Sequence, residues 1–214
     1  RMSTLLVYAA PREGEAVAHT HGNSLALGVG KIAAASTLTR ALCNDRPDAV
    51  LLFGVCGAYP DRHLRSGVPA LQILDLCTVA SEIVVDDGVQ MPDGFRDLEQ
   101  LELARIGPYL ADTALTGRIG ALLDCPSVCG ATVSTGAGVD ALSQVFALRS
   151  GASVESMEGA AVASVCEQFE VPYAQLRVVS NRTGDRDKGA WDLDGAIDRL
   201  SRAMNTVLEA GILP

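Results

Sequence analysis

Hydrophobic positions fall into short apolar runs, separated by stretches in which apolar residues recur every third or fourth place. The runs at Thr4 to Ala9, Ser24 to Val29, Ala49 to Val55, Leu71 to Val79, Glu82 to Val85, Val128 to Ser134 and Tyr173 to Val179 predict strands. Val154 to Ser156 predicts a shorter extended segment. Helical spacing predicts helices at Ile32 to Asn44, at Val139 to Leu148 and around Val162, Val165, Cys166 and Phe169. A last helix, Asp192 to Ala210, gathers Leu193, Ala196, Ile197, Leu200, Met204, Val207 and Leu208 on one face. Glu13 to Ala18 predicts a short helix, Pro11 breaks the first strand, and Pro172 ends the helix before Tyr173. The Gly-, Pro- and Asp-rich stretch Asp86 to Asp97 predicts a loop. Strands and helices alternate without linker or repeat, so residues 1–214 predict one α/β domain whose sheet is covered on both faces.

Composition narrows the function. A chain of 214 residues with 48% hydrophobic content can bury an ample core. Its net charge of -9 argues against nucleic acid, whose binding rests on clustered Lys and Arg. No apolar run approaches the roughly 20 residues that span a bilayer, so no membrane partner is expected. The opening residues run straight into a strand without signal-peptide architecture, and Cys43, Cys56, Cys77, Cys125, Cys129 and Cys166 mostly have apolar neighbours and no C-x-x-C pairing. Buried thiols in a reducing cytoplasm are the expectation. His19 and His21 stand two apart in a predicted loop without a partner cluster, which gives no metal site.

The stretch Val154 to Asp187 carries the candidate chemistry. Glu158 stands where a helix begins and Asn181 where the following strand stops, and ligands of open α/β sheets gather at the carboxyl ends of strands. Gly28-Val29-Gly30-Lys31 superficially resembles a dinucleotide fingerprint. It follows the second strand, however, with no acidic residue at the end of the next one, and it is no P-loop. A tight turn into a helix accounts for these glycines.

Met157-Glu158-Gly159-Ala160-Ala161, then Val171-Pro172 and Arg177-Val178-Val179-Ser180-Asn181, resemble the signature of the purine nucleoside phosphorylase and nucleosidase superfamily. The continuation through Asp187, with Trp191 and Asp192, is similar to the futalosine hydrolase branch. The resemblance runs from Leu5 to the last helix. It implies a three-layer sandwich with a central mixed sheet, a small-molecule purine nucleoside as partner, a homodimer or higher homo-oligomer, and neither metal nor organic cofactor. It also implies the roles. Glu158 would bond the ribose hydroxyls and favour positive charge on the sugar, with Met157 packed beneath. Asn181 would accept from a protonated N7 and donate to O6, favouring a hypoxanthine-type base over adenine. Asn cannot supply the N7 proton, which would arrive through water.

Glu13 decides the reaction type in this scheme. Phosphorylases place a phosphate-holding Arg there, whereas nucleosidases place a carboxylate that activates water. A second phosphate element, R-x-G-S-C-G, reads Leu52-Phe53-Gly54-Val55-Cys56-Gly57 and lacks its Arg and Ser. Hydrolysis is therefore expected, with Glu15 the alternative base if the alignment slips by two. Val55, Gly57, Thr135, Gly138 and Ser180 are the remaining candidate substrate-binding residues. The small residues from Thr132 to Gly138 either let a flat base approach the backbone or form a plain turn. Arg182, Arg186, Lys188 and Arg96 are candidates to meet a substrate carboxylate, with Phe95 beside Arg96 in the acidic loop. Competing readings are a methylthioadenosine/S-adenosylhomocysteine nucleosidase, a phosphorylase, and a non-catalytic nucleoside-binding protein.

Overall fold

The structure, a computed structural model, describes residues 4–18, 23–185 and 191–214. His19, His21, Arg186, Asp187 and Lys188 lie outside the described residues. Strands β1 (Thr4–Tyr8), β2 (Ser24–Ala26) and β3 (Ala49–Ala58) run parallel, with β1 between the other two. Along its other edge β3 pairs in parallel with β10 (Tyr173–Arg182). β10 pairs antiparallel with β4 (Leu76–Val84), and β4 runs parallel to β8 (Ser127–Thr132). β9 (Val154–Ser156) links β8 back to the last two residues of β3. The mixed sheet thus curls until β3, β10, β4, β8 and β9 close a ring, and β1 and β2 extend from it.

Helices cover both faces because the buried strands are apolar on both. On β3, Leu51 and Phe53 point one way, toward Leu115 and Ile119 of α3 (Thr113–Leu123) and Leu200, Met204 and Val207 of α6 (Leu193–Glu209). Val50 and Leu52 point the other way, toward Leu38 and Leu42 of α2 (Lys31–Asn44) and Val162 and Cys166 of α5 (Gly159–Phe169). Each such side chain contributes about 1.5–3 kcal/mol through its removal from water. The remaining helices are the single turn α1 (Pro11–Gly14) and α4 (Asp140–Ser150), whose Phe146 and Ala147 pack on Val133 and Tyr59.

Several expectations are corrected. Leu71 to Val79 and Glu82 to Val85 are not two strands; β4 is continuous, and a register shift between Val79 and Ser81 breaks the sequence pattern at Ala80. Asp86 to Asp97 is not a loop. It contains a hairpin, β5 (Gly88–Met91) paired with β6 (Gly94–Asp97), whose ends use the same Gly, Pro and Asp that mark loops. β7 (Tyr109–Leu110) and α3 had no counterpart in the sequence reading; α3 is N-capped by Asp112, which accepts from the Leu115 amide at 2.7 Å. Finally, β10 extends through Asn181 rather than stopping at Val179, because its pairing with β3 continues past a bulge at Ser180.

Candidate active site

The carboxyl ends of β1, β3 and β10 converge on a cleft of about 330 Å³. Glu13, Glu158 and Asn181 all line it, as do Val55, Gly57, Met157, Gly138 and Ser180. Residues 168 positions apart in the chain are therefore brought together by strand order alone, from Glu13 to Asn181. Thr135 does not line the cleft. Its amide and that of Ser134 donate to Asp86 Oδ2 at 3.1 and 2.6 Å, which turns this residue toward the β4 loop. Glu15, the alternative to Glu13, is exposed.

Glu13 is buried and held almost entirely by backbone. Its Oε2 accepts from the amides of Ala9 at 3.1 Å and Ala10 at 2.9 Å, and Oε1 accepts from Val55 at 2.8 Å. Three N–H donors fix the carboxylate in one orientation. They leave Oε1 with one unused lone pair, and this is the atom available to a water in the cleft. Gly54 makes the arrangement possible: a Cβ there would lie 2.4 Å from Glu13 Oε1 and 2.6 Å from Arg177 Nη1.

Arg177 is a buried cation facing Glu158 to which the sequence reading gave no role. It is buried, donates to the Val55 carbonyl at 3.1 Å and to Gln175 Oε1 at 3.1 and 3.3 Å, and stands 4.0 Å from Glu158 Oε2. Desolvation pulls the guanidinium pKa down, but the surrounding acidic groups, Glu158 and Glu13 foremost, raise it on balance, so its charge is secure. Gln175 in turn donates to Glu82 Oε1 at 2.6 Å, and Glu82 Oε2 accepts from Thr132, whose oxygen accepts from the Ala160 amide at 2.7 Å. This buried chain joins β10 to the first turn of α5, the turn that begins beside Glu158. Gly159 is required there because a Cβ would sit 2.0 Å from Glu82 Oε1. Two polar residues at alternate positions within an apolar strand, Gln175 and Arg177, were the available signal.

Glu158 is the N-cap residue of α5, but its side chain makes no capping hydrogen bond. Its Oε1 accepts from the Gly30 amide at 2.8 Å, so the glycine turn after β2 serves this carboxylate. Gly30 has φ 94, a left-handed conformation that glycine adopts without strain. Burial pushes the Glu158 carboxyl pKa up; Arg177 and the Gly30 amide oppose the shift, and nearby Glu13 reinforces it.

The bulge in β10 makes Ser180 the extra residue, so Ser180 and Asn181 both reach the cleft instead of alternating across the sheet. The Ser180 hydroxyl donates to Asn181 Oδ1 at 2.9 Å, and Asn181 Nδ2 donates to the Arg182 carbonyl at 3.2 Å. One acceptor site and one donor of the amide remain for a ligand. Glu155, which was not singled out from the sequence, also lines the cleft, with 8% of its surface exposed. Arg182 and Trp191 stand at the rim, and Arg182 donates to Gln72 Oε1. Arg96 and Phe95 are not among the lining residues: Arg96 pairs with Asp93, and Phe95 lies beneath Arg149. Among the described residues, no group of three or more His, Cys, Asp or Glu could hold a metal ion.

The family model of the phosphorylase superfamily matches residues 7–212 of the chain. The sequence is 34% identical over 187 residues to the futalosine hydrolase of Thermus thermophilus, covering 86% of this chain and 80% of that relative. It is 36% identical over 200 residues to the futalosine hydrolase of Acidothermus cellulolyticus, covering 90% and 78% respectively. In three dimensions it is similar to a futalosine hydrolase mutant of Helicobacter pylori strain 26695, with a TM-score of 0.80, 18% identity, and coverage of 98% of this chain and 100% of that one. At that identity the likeness speaks to the fold.

Proposed function

The chain belongs to the phosphorylase superfamily, and from that membership we propose that it hydrolyses the N-glycosidic bond of futalosine to hypoxanthine and dehypoxanthine futalosine. Relatives at 34% and 36% identity that carry this name support the substrate. The charge of the cleft carries the choice of nucleophile. Among the described residues, Glu13, Glu155 and Glu158 line its interior, whereas cationic Arg182 is exposed at the rim. Arg177 does not line the cleft and is engaged by Gln175, the Val55 carbonyl and Glu158. An inorganic phosphate would meet carboxylates where it needs donors, but a neutral water meets a base.

In this reading Glu13 Oε1 takes a proton from water, and the water oxygen attacks the anomeric carbon as the bond to the purine breaks. Glu158 holds the ribose hydroxyls, and its charge, with that of Glu13, favours the developing oxocarbenium ion. The departing base takes its N7 proton from water, and Asn181 accepts from N7–H and donates to O6, a task that its remaining acceptor and donor suit. Met157, Val55, Gly57, Gly138 and Ser180 complete the walls. A benzoate on the substrate would reach the rim, where Arg182 stands and Arg96 does not.

We further assign the reaction to menaquinone biosynthesis in the cytoplasm, carried out by residues 1–214 acting as one domain. The protein is proposed to be a homodimer or higher homo-oligomer, since apolar Val29, which lines the cleft, and Ile32, three residues further on, are 57% and 87% exposed. The decisive assay is incubation with futalosine with and without phosphate. Phosphate-independent release of hypoxanthine is expected, whereas phosphate-dependent formation of a sugar 1-phosphate would overturn the reading.

A further inference from the structure

Gln175 has no part in the scheme above, yet it governs how close a buried cation comes to Glu158. Gln175 and Arg177 stand two apart on β10, so their side chains run side by side on one face of the strand. Both are buried, as is Glu82 of the neighbouring β4. Gln175 Oε1 accepts from Arg177 Nε at 3.3 Å and from Nη2 at 3.1 Å, while Gln175 Nε2 donates to Glu82 Oε1 at 2.6 Å. The amide has one workable orientation in this setting. A guanidinium only donates, so it must meet the amide oxygen, and that turns the NH₂ to the carboxyl group. The third guanidinium nitrogen, Nη1, donates to the Val55 carbonyl at 3.1 Å.

The tether fixes the gap in front of the cation. Arg177 Nη2 stands 4.0 Å from Glu158 Oε2, close enough for attraction between charges but beyond hydrogen-bond reach. Glu158 Oε1 is already committed to the Gly30 amide. A direct bond from Arg177 to Oε2 would therefore engage both oxygens of the carboxylate assigned to the ribose hydroxyls. We infer that Gln175 is a positioning residue: its amide, anchored by Glu82, holds the Arg177 guanidinium off Glu158 and keeps that carboxylate open to the ribose. This deepens the hydrolase reading and rests on it for the role of Glu158.

The groups around the tether set the direction of the response. Arg177 is influenced by Glu158, Glu13, Cys56 and Tyr173, Glu158 by Arg177 and Glu13, and Glu82 by Arg177 and Glu158. Arg177 is the cation of this group, and Glu158 is the first of the acidic groups that act on it. A guanidinium released by Gln175 would close on Glu158 and favour its ionised form.

Gln175→Leu removes the tether without adding a charge. The KM for futalosine should rise by about 10-fold or more. The acid limb of kcat/KM should move to lower pH, because a directly bonded Arg177 favours ionised Glu158. Gln175→Glu keeps an oxygen for Arg177 and can share one proton with Glu82, so KM and the acid limb should return toward wild type. A folded leucine variant with unchanged KM and an unmoved acid limb would overturn the inference, as would a glutamate variant that behaves like the leucine one. Should the leucine variant fail to fold, Gln175→Met, nearer in shape, carries the same expectations.

A binding measurement needs no turnover. The C-nucleoside formycin B offers a ribose and a 6-oxopurine-like base joined by a carbon–carbon bond, which water does not cleave. By calorimetry, Gln175→Leu should weaken its binding by about 10-fold, while hypoxanthine, which has no ribose, binds as in the wild type. Equal weakening of both would mean that Gln175 only supports the fold, and would overturn the inference. Failure of wild-type protein to release hypoxanthine from futalosine would instead overturn the proposed reaction, and the paired binding measurement would still report on Gln175.

Discussion

Replacing Gly54 by alanine should disable hydrolysis while leaving the base site intact. The new Cβ would lie 2.4 Å from Glu13 Oε1 and 2.6 Å from Arg177 Nη1, where ordinary contacts begin near 3.4 Å. The carboxylate must therefore retreat by about 1 Å, which the Val55 amide bond of 2.8 Å cannot survive. Losing a hydrogen bond to a charged group costs about 1.5–3 kcal/mol, and urea unfolding should show a loss of that order. A displacement of about 1 Å at a catalytic group costs on the order of 100-fold in rate. Futalosine turnover should fall by at least that factor, while hypoxanthine affinity measured by calorimetry stays near wild type. The latter follows because Asn181 stands against Gly57 rather than Gly54. A folded variant that turns over futalosine close to the wild-type rate would refute the claim that the seat of Glu13 governs the reaction.

Glu13→Gln should reduce turnover by on the order of 10²- to 10⁴-fold, as expected for loss of a general base. It should also cost about 1–3 kcal/mol in urea unfolding, because its NH₂ must face backbone amides that now donate to a carboxylate; turnover preserved with stability lost would deny Glu13 the catalytic role. The acid limb of kcat/KM should break above the ordinary 4.5 of a glutamate, since Glu158 must be ionised and its burial, reinforced by Glu13 and only partly offset by Arg177, raises its pKa. Stability should run the other way. Glu82, Glu155 and Glu158 all have raised pKa values, so their neutral forms are favoured in the fold, and their contribution is lost as pH rises from the ordinary carboxylate range through the raised values. Glu82→Gln should accordingly flatten the fall in urea midpoint across that window, and an unchanged slope would count against a buried, titrating Glu82.

Sequence alone determined the class of this protein and the ingredients of its cleft. Apolar runs alternating with helical spacing are local properties, and they located β1, β3, β10, α2, α5 and α6 to within a few residues. The motif around Glu158 and Asn181, with a glutamate rather than an arginine at position 13, pointed to nucleoside hydrolysis before any distance was known. Other features depend on non-local pairing, which no window of sequence contains. A bulge at Ser180 is visible only against β3, and it is what turns both Ser180 and Asn181 into the cleft. Arg177 and Gln175 look like interruptions of an apolar strand until Glu82, from β4, is placed against them. Thr135 reads as a base contact until Asp86 claims its amide. Even Gly54 and Gly159 acquire a reason only when the carboxylates of Glu13 and Glu82 fill the space where a Cβ would stand. Periodicity reports which face of an element is buried; which partner it is buried against, and with what donor opposite, is decided only when the chain closes on itself.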